Sequence, residues 1–394
     1  MISPDILEEI ISSQRKNFIS KKFLLRRDLF NEIKDTDNKA LIITGLRRCG
    51  KCTLMMQLQR SNGYENVVYL NFEDIRLSGF NKYDFDTLFK VIISKKAKVC
   101  MFDEIHIMSS WDEFVKRLLV NDIKVLITDS TPIKKNSDRN VYELFPFSYH
   151  EYLKYIKQET SHSSLTRYMK IGGMPEYVRK EGYPIINSIL NDVILRDIHN
   201  QYNIRDINTL RQLAVYIITH SGEKISANML TGMFNIKSCA TIVDFIKYLN
   251  NSYLVQYVNL YDKSFSVRKR NPIKLFPTDV GILNSITNAT PQQKLECIIS
   301  NALRRLQKEY YYYDKKKVGQ TNFIIFDKKK PDMLIKICWD LPDHLIWPEA
   351  NMLAAIADKE GTKSAYILTE NKEQVIQIGN RTINIHPAYK CSLL

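Results

Sequence analysis

Residues 40–58 read ALIITGLRRCGKCTLMMQL. The first five are apolar and mostly β-branched, a pattern that predicts a buried strand. From Thr53 onward the side chains are helix formers. Between them runs Gly45-Leu46-Arg47-Arg48-Cys49-Gly50-Lys51-Cys52, a loop bounded by glycine. Strand, loop and helix in that order give a GxxxxGK sequence physical meaning, that of a Walker A loop. The glycines let backbone N–H groups turn inward around a phosphate. Lys51 reaches the outer phosphate oxygens, and the helix start adds its positive end. Gly45, Arg47, Arg48, Cys49, Gly50, Lys51, Cys52 and Thr53 are therefore the expected phosphate-contacting residues.

One position departs from that pattern. The residue after the lysine is normally Ser or Thr, whose hydroxyl coordinates Mg²⁺, and here it is Cys52. A thiol is a poor ligand for a hard cation that prefers oxygen. Thr53 is next in line, but one residue along a helix turns a side chain by about 100°. Nucleotide binding through the backbone and Lys51 is expected to survive, whereas hydrolysis is expected to suffer. Cys49 and Cys52 also form a CxxC, the spacing of thiol redox motifs. No thioredoxin-like pattern surrounds it, which favours two cysteines that simply replaced other loop residues.

Working outward, residues 67–72 (VVYLNF) predict a second strand. Residues 98–104 (KVCMFDE) predict a third, which ends in Asp103 and Glu104, 52 residues after Lys51. An apolar strand ending in Asp-Glu is a Walker B pattern. Its aspartate holds Mg²⁺ through water and its glutamate polarises the attacking water. Residues 122–130 (DIKVLITDS) predict another buried strand, which ends at Ser130, a candidate γ-phosphate sensor, and Arg139 follows in a polar stretch. With helical stretches such as 111–119 between them, these strands fit a parallel sheet covered on both faces. Ligands of such sheets bind at the carboxyl ends of strands, where all these motifs fall.

The whole-chain properties are consistent. The 394 residues exceed one core, and 44% hydrophobic with 25% charged residues is ordinary globular composition. No apolar run approaches the roughly 18 residues of a membrane span. The start carries Asp5, Glu8 and Glu9, unlike a secretory signal. Seven cysteines, an odd number scattered along the chain, suggest reduced thiols and a cytoplasmic protein. The net charge is +14, and residues 261–330 hold fifteen Lys or Arg against six Asp or Glu. That excess points to a polyanion partner, nucleic acid first, or to a solvated basic face.

Past Gly172-Gly173-Met174-Pro175, residues 225–234 and 238–249 predict helix, turn, helix. Ile242, Phe245, Ile246 and Leu249 form one apolar face of the second helix. Residues 253–260 and the segment from Ser266 predict a hairpin wing with a basic cluster at Arg268, Lys269, Arg270 and Lys274. Such a unit binds a DNA groove or serves as a protein-docking element, with Lys237 and Lys247 the basic residues of its helix. From residue 291 a helix and strands at 310–313, 323–326 and 333–337 follow the order of a PD-(D/E)xK nuclease. Glu296 is available, but Asn322 stands at the aspartate position and Lys336-Ile337-Cys338 at the ExK position. A working nuclease is not expected. The seven histidines, His106 among them, show no metal-ligand spacing.

The segments ITGLRRCGK, FDEIHIMSSWDEFVKRL, ITDST, ELFPFSYHEYL, IGGMPEYV, NDVILRDIHNQYNIRD, ATIVDFIKYLNNSYLVQYV, LFPTDVGILNSI and AYILTENKEQVIQIGNRTINIHPAY span nearly the whole chain. Together they resemble the prokaryotic AAA-family ATP-binding proteins that carry a C-terminal domain of unknown function. The resemblance implies an α/β fold. A P-loop AAA domain over 1–165 would be followed by a helical and winged-helix domain over 166–285, then an inactive restriction-endonuclease-like α/β domain over 286–394. It implies ATP and Mg²⁺ as cofactors, and catalytic roles for Lys51, Glu104 and Arg139, the last as a trans-acting finger. Asp103 would hold the metal, and Ser130 would sense the γ-phosphate. Besides Cys52, Asp129 departs from the family by replacing the Gly of a TGS triplet, and the loop 131–138 is shortened. The expectation is an ATP-dependent molecular switch with weak or partner-stimulated hydrolysis, with a protein partner or a second copy of the chain implied. The alternative is a nucleotide-bound, non-hydrolysing DNA-binding module.

Overall fold

The computed structural model describes residues 2–20, 25–33, 39–180, 185–236, 238–264, 266 and 271–394, and the chain divides into two compact units, Met1–Phe145 and Pro146–Leu394. The basic-cluster residues Arg268, Lys269 and Arg270, and Lys237, lie outside the described residues.

Unit 1 is built on five strands: β1 (Ala40–Thr44), β2 (Val67–Asn71), β3 (Val99–Asp103), β4 (Lys124–Asp129) and β5 (Arg139–Glu143). All pair in parallel, in the order β2-β3-β4-β1-β5. Every residue of β1 and β3 is buried, as two-sided cover requires. One face packs Ile42, Val68, Leu70, Phe102, Val125 and Ile127 against apolar residues of the helices α1 (Pro4–Ser20), α3 (Asp84–Ser94) and α4 (Trp111–Val120). The helix α2 (Lys51–Ser61) starts directly after the glycine loop and buries Leu54, Met55 and Leu58. The sheet is that of a P-loop NTPase, with β1 and β3 separated by β4.

β5 has no forerunner in the sequence reading. Its residues RNVYE are half-buried, as an edge strand with polar composition should be. Arg139, read only as part of a polar stretch, begins this strand.

In unit 2 the helices Ala227–Met233 and Cys239–Asn251 flank a turn in which Asn235 adopts φ +52°. Ile242, Phe245, Ile246 and Leu249 are all buried. A small sheet follows from β6 (Lys224–Ile225), β7 (Val255–Val258) and β8 (Ile273–Pro277), in the order β6-β8-β7. A larger sheet joins β9 (Glu309–Lys315), β10 (Gly319–Asp327), β11 (Lys330–Ile337), β12 (Ser364–Thr369), β13 (Gln374–Ile378) and β14 (Arg381–Pro387) in the order β13-β14-β12-β11-β10-β9. The tyrosines of β9 depart from simple alternation, because Tyr312 and the adjacent Tyr313 are both buried. They point to opposite faces, and both faces are covered. The Tyr312 hydroxyl donates to Pro272 O, and that of Tyr313 donates to Glu360 at the end of the helix Asp343–Glu360.

Candidate functional site

The loop between β1 and α2 is shaped by backbone that ordinary residues adopt poorly. Gly45 has φ +145° and Gly50 φ +107°. A Cβ on Gly45 would lie 2.2 Å from the Leu144 carbonyl oxygen, so only glycine fits the close passage of the chain. Arg48 is also left-handed, with φ +63°. The loop is anchored from below by Arg27, which the sequence reading overlooked. Its buried guanidinium donates to Cys49 O at 2.8 Å and to Phe145 O at 2.6 Å. An arginine next to Arg26 in the stretch FLLRRDLF carries no local signal of this role.

Lys51 is buried, and its Nζ donates to Gly45 O at 3.0 Å and Leu46 O at 3.2 Å. It also lies 3.8 Å from Glu104 Oε1. Burial alone would lower its pKa; Glu104, then Cys49 and Asp103, outweigh that and hold the ammonium above the usual lysine range. The ammonium therefore stays charged beside the loop, and no side chain caps the first turn of α2. An uncapped helix start with a fixed cation suits an anion.

Asp103 ends β3 inside the site. Its Oδ1 accepts from Thr128 Oγ1, and its Oδ2 accepts from the Cys52 thiol at 2.7 Å. Burial, and then the neighbouring charge of Glu104, push its pKa up. Glu104 adopts φ +55°, a backbone region costing a non-glycine residue about 1–3 kcal/mol and concentrated at functional sites. Its Oε2 accepts from Ser130 N at 3.1 Å and Ser130 Oγ at 2.8 Å. The parallel register explains the meeting: Asp103 pairs with Thr128, so the next residues, Glu104 and Asp129, emerge side by side.

The two loop cysteines face different partners. Cys49 is fully buried, with Sγ 3.2 Å from Leu144 O and its pKa raised by burial, while Cys52 is bonded to Asp103. Both are free thiols. Thr53 is half-buried in the first turn of α2. Arg47 pairs with Glu73 at 2.7 Å. Arg139 pairs with Asp112 at 2.8 Å and lies over the Trp111 ring, so these two contacts are on α4 and not on the glycine loop. Lys51, Cys52, Asp103, Glu104 and Ser130 are thus brought together, and Arg139 is placed apart from them.

Residues 37–153 match the family model of an AAA domain. The match takes in most of unit 1, whose sheet and glycine loop are of the P-loop kind. Residues 162–293 match a second family, a domain of unknown function. The uncharacterized protein MJ1544 of Methanocaldococcus jannaschii is 28% identical, covering 86% of this chain and 83% of its own length. An uncharacterized protein of Haemophilus influenzae is 25% identical over 83% of this chain and 89% of its own length. Among solved structures, AMPPCP-bound DnaA from Aquifex aeolicus aligns over 57% of this chain and 85% of its own, at 12% identity and TM-score 0.27. A STAND-type signal transduction ATPase from Pyrococcus horikoshii aligns over 73% of this chain and 46% of its own, at 14% identity and TM-score 0.29. Values this low carry nothing further about this chain.

Unit 2 gathers the three nuclease-pattern positions, Glu296, Asn322 and Lys336, around one cavity of about 230 Å³. Its lysines are already paired: Lys224 with Asp314, Lys274 with Glu296 at 3.5 Å, and Lys336 with Glu349 at 3.2 Å. Asn322 accepts from Ile337 N at 2.8 Å. Among the described residues no acidic metal cluster forms there.

Proposed function

We propose that the chain binds ATP at the β1–α2 loop and acts as an ATP-dependent molecular switch whose hydrolysis is weak or stimulated by a partner. One observation carries the reading: Lys51 is fixed beside the loop and an uncapped helix start, within reach of the Asp103–Glu104 pair. The nucleotide fits this donor set. The N–H groups of the loop and Lys51 would hold the phosphates, Arg47, Arg48 and Thr53 would flank them, and Ser130 would orient Glu104. Glu104 is the group that accepts a proton from the attacking water. Arg139 fits a finger acting on a neighbouring copy better than on its own loop, because Asp112 holds it on α4.

Mg²⁺ fits less well. Asp103 offers a carboxylate, but the hydroxyl position is a thiol that already donates a hydrogen bond to that carboxylate. Oxygen-seeking cations gain little from sulfur. This is why hydrolysis is expected to be slow. Cys52→Thr restores the hydroxyl and should raise ATP turnover at least about 10-fold, while Glu104→Gln removes turnover and leaves binding intact. Turnover unchanged by Cys52→Thr would sink the proposed damage to the metal site.

The second reading is a DNA-docking module with a structural nucleotide, favoured by the exposed lysines of unit 2. Lys316 and Lys317 lie in the β9–β10 turn, and Lys328, Lys329 and Lys330 at the β10–β11 turn. These turns sit at opposite ends of the nine-residue β10, roughly 27 Å apart, so they do not form one stripe. That separation makes it the weaker reading.

A further inference from the structure

We propose that Glu104, His106 and Asp129 form a binding site for a borderline divalent cation of the Zn²⁺ class, beside the phosphate loop. One ligand atom from each lies within 4.8 Å of the other two. The chain builds the site from two neighbouring strands. Glu104 follows β3, Asp129 ends β4 in the adjacent register position, and His106 sits in the short 3₁₀ turn Ile105–Ile107 that closes over them. His106 Nδ1 lies 2.9 Å from Asp129 Oδ1 and 3.4 Å from Glu104 Oε2. Bonds of about 2.1 Å from one ion to N and O donors place those donors roughly 2.9–3.4 Å apart, the separations of octahedral and tetrahedral chelation.

Two further observations point to a cation. Asp129 is wholly buried, and its Oδ2 receives no hydrogen bond among the described residues; only Oδ1 is served, by Thr131 N at 2.8 Å and Thr131 Oγ1 at 2.7 Å. A buried carboxylate with an open oxygen is costly unless something positive meets it. The site also holds three buried carboxylates: Asp103 and Glu104, which act on the ammonium of Lys51, and Asp129 beside Glu104. An incoming polyphosphate would meet net negative charge there, and a divalent ion offsets it. The donor set selects the ion, because an imidazole nitrogen among carboxylates suits Zn²⁺ and its neighbours, whereas Mg²⁺ prefers oxygen alone.

The site shares Glu104 with the nucleotide reading but is tested without nucleotide. The full chain, stripped with chelator and kept under a non-thiol reductant, is titrated with Zn²⁺ alone. Metal content after gel filtration and the visible absorption of a Co²⁺-substituted sample are then read. Stoichiometric Zn²⁺ is expected in wild type and in Cys52→Ser, undisplaced by excess Mg²⁺. Asp129→Asn and His106→Gln should each weaken it at least about 100-fold, as removing a direct ligand exceeds the loss of an outer partner. His106 is only half-buried, so His106→Gln tests the site even where Asp129→Asn unfolds the chain, which far-ultraviolet circular dichroism reports. Failure of wild type to hold Zn²⁺, retention unchanged in His106→Gln, or loss in Cys52→Ser alone would each overturn the assignment. ATP binding measured on the same samples keeps this result separate from the nucleotide reading.

Discussion

Cys52 and Asp103 show how one atom changes a site. Cys52 stands where the resemblance expects a metal-binding hydroxyl, and its thiol donates a hydrogen bond to the Asp103 carboxylate. Sequence spacing located both residues, because a loop and a strand end announce themselves locally. It could not show the bond between them, nor that His106 and Asp129 meet, because neighbouring strands are brought together by the fold and not by the sequence. A different buried carboxylate gives a pH test. Asp279 in unit 2 accepts from Gly173 N at 2.6 Å and Gly281 N at 2.9 Å, yet burial raises its pKa to about 6. The native state therefore holds this proton more tightly than the unfolded chain, whose value is about 3.9. Its contribution to stability is full below about pH 4, falls as pH rises to about 6, and is constant above. The span corresponds to about 3 kcal/mol. Denaturant unfolding of Asp279→Asn should lack this decline, and a decline of equal size in the variant would assign it to other groups.

At the scale of elements, the strands β1, β3 and β4 and the helix α2 were legible, because buried parallel strands read as continuous apolar runs and the glycine loop marks the join. β5 was not: its polar residues are chosen for a sheet edge, so pairing with β1 replaces hydrophobicity as the reason for its strand conformation. The π-helical stretch Val193–His199 had no signature either, since it shares its composition with the helices around it. The same reasoning makes the loop sensitive to a single methyl group. Gly45→Ala places a Cβ against the Leu144 carbonyl at a φ that alanine avoids, so the variant should lose at least about 2 kcal/mol of stability and most of its nucleotide affinity. Thermal unfolding at the wild-type midpoint would show that the loop tolerates the collision and is less constrained than its geometry indicates.

At the scale of the whole chain, the glycine loop, Lys51 and the Asp103–Glu104 pair lie in unit 1, and the stretch 261–330, with fifteen Lys or Arg against six Asp or Glu, lies in unit 2. No helix among the described residues is long and apolar enough to cross a membrane. Because the basic turns of β10 are separated and the cavity lysines are paired, duplex DNA affinity should depend at most shallowly on salt. A slope of log affinity against log salt of about −6 or steeper would instead favour the DNA-docking module. ATP binding at the β1–α2 loop is decided by calorimetric titration of the full chain with ATP, wild type against Lys51→Ala, under reducing conditions. Wild type should bind saturably and Lys51→Ala should lose at least about 100-fold in affinity, since the variant leaves the phosphates without their buried cation. Wild type that binds no ATP, or binding that Lys51→Ala leaves unchanged, would contradict it.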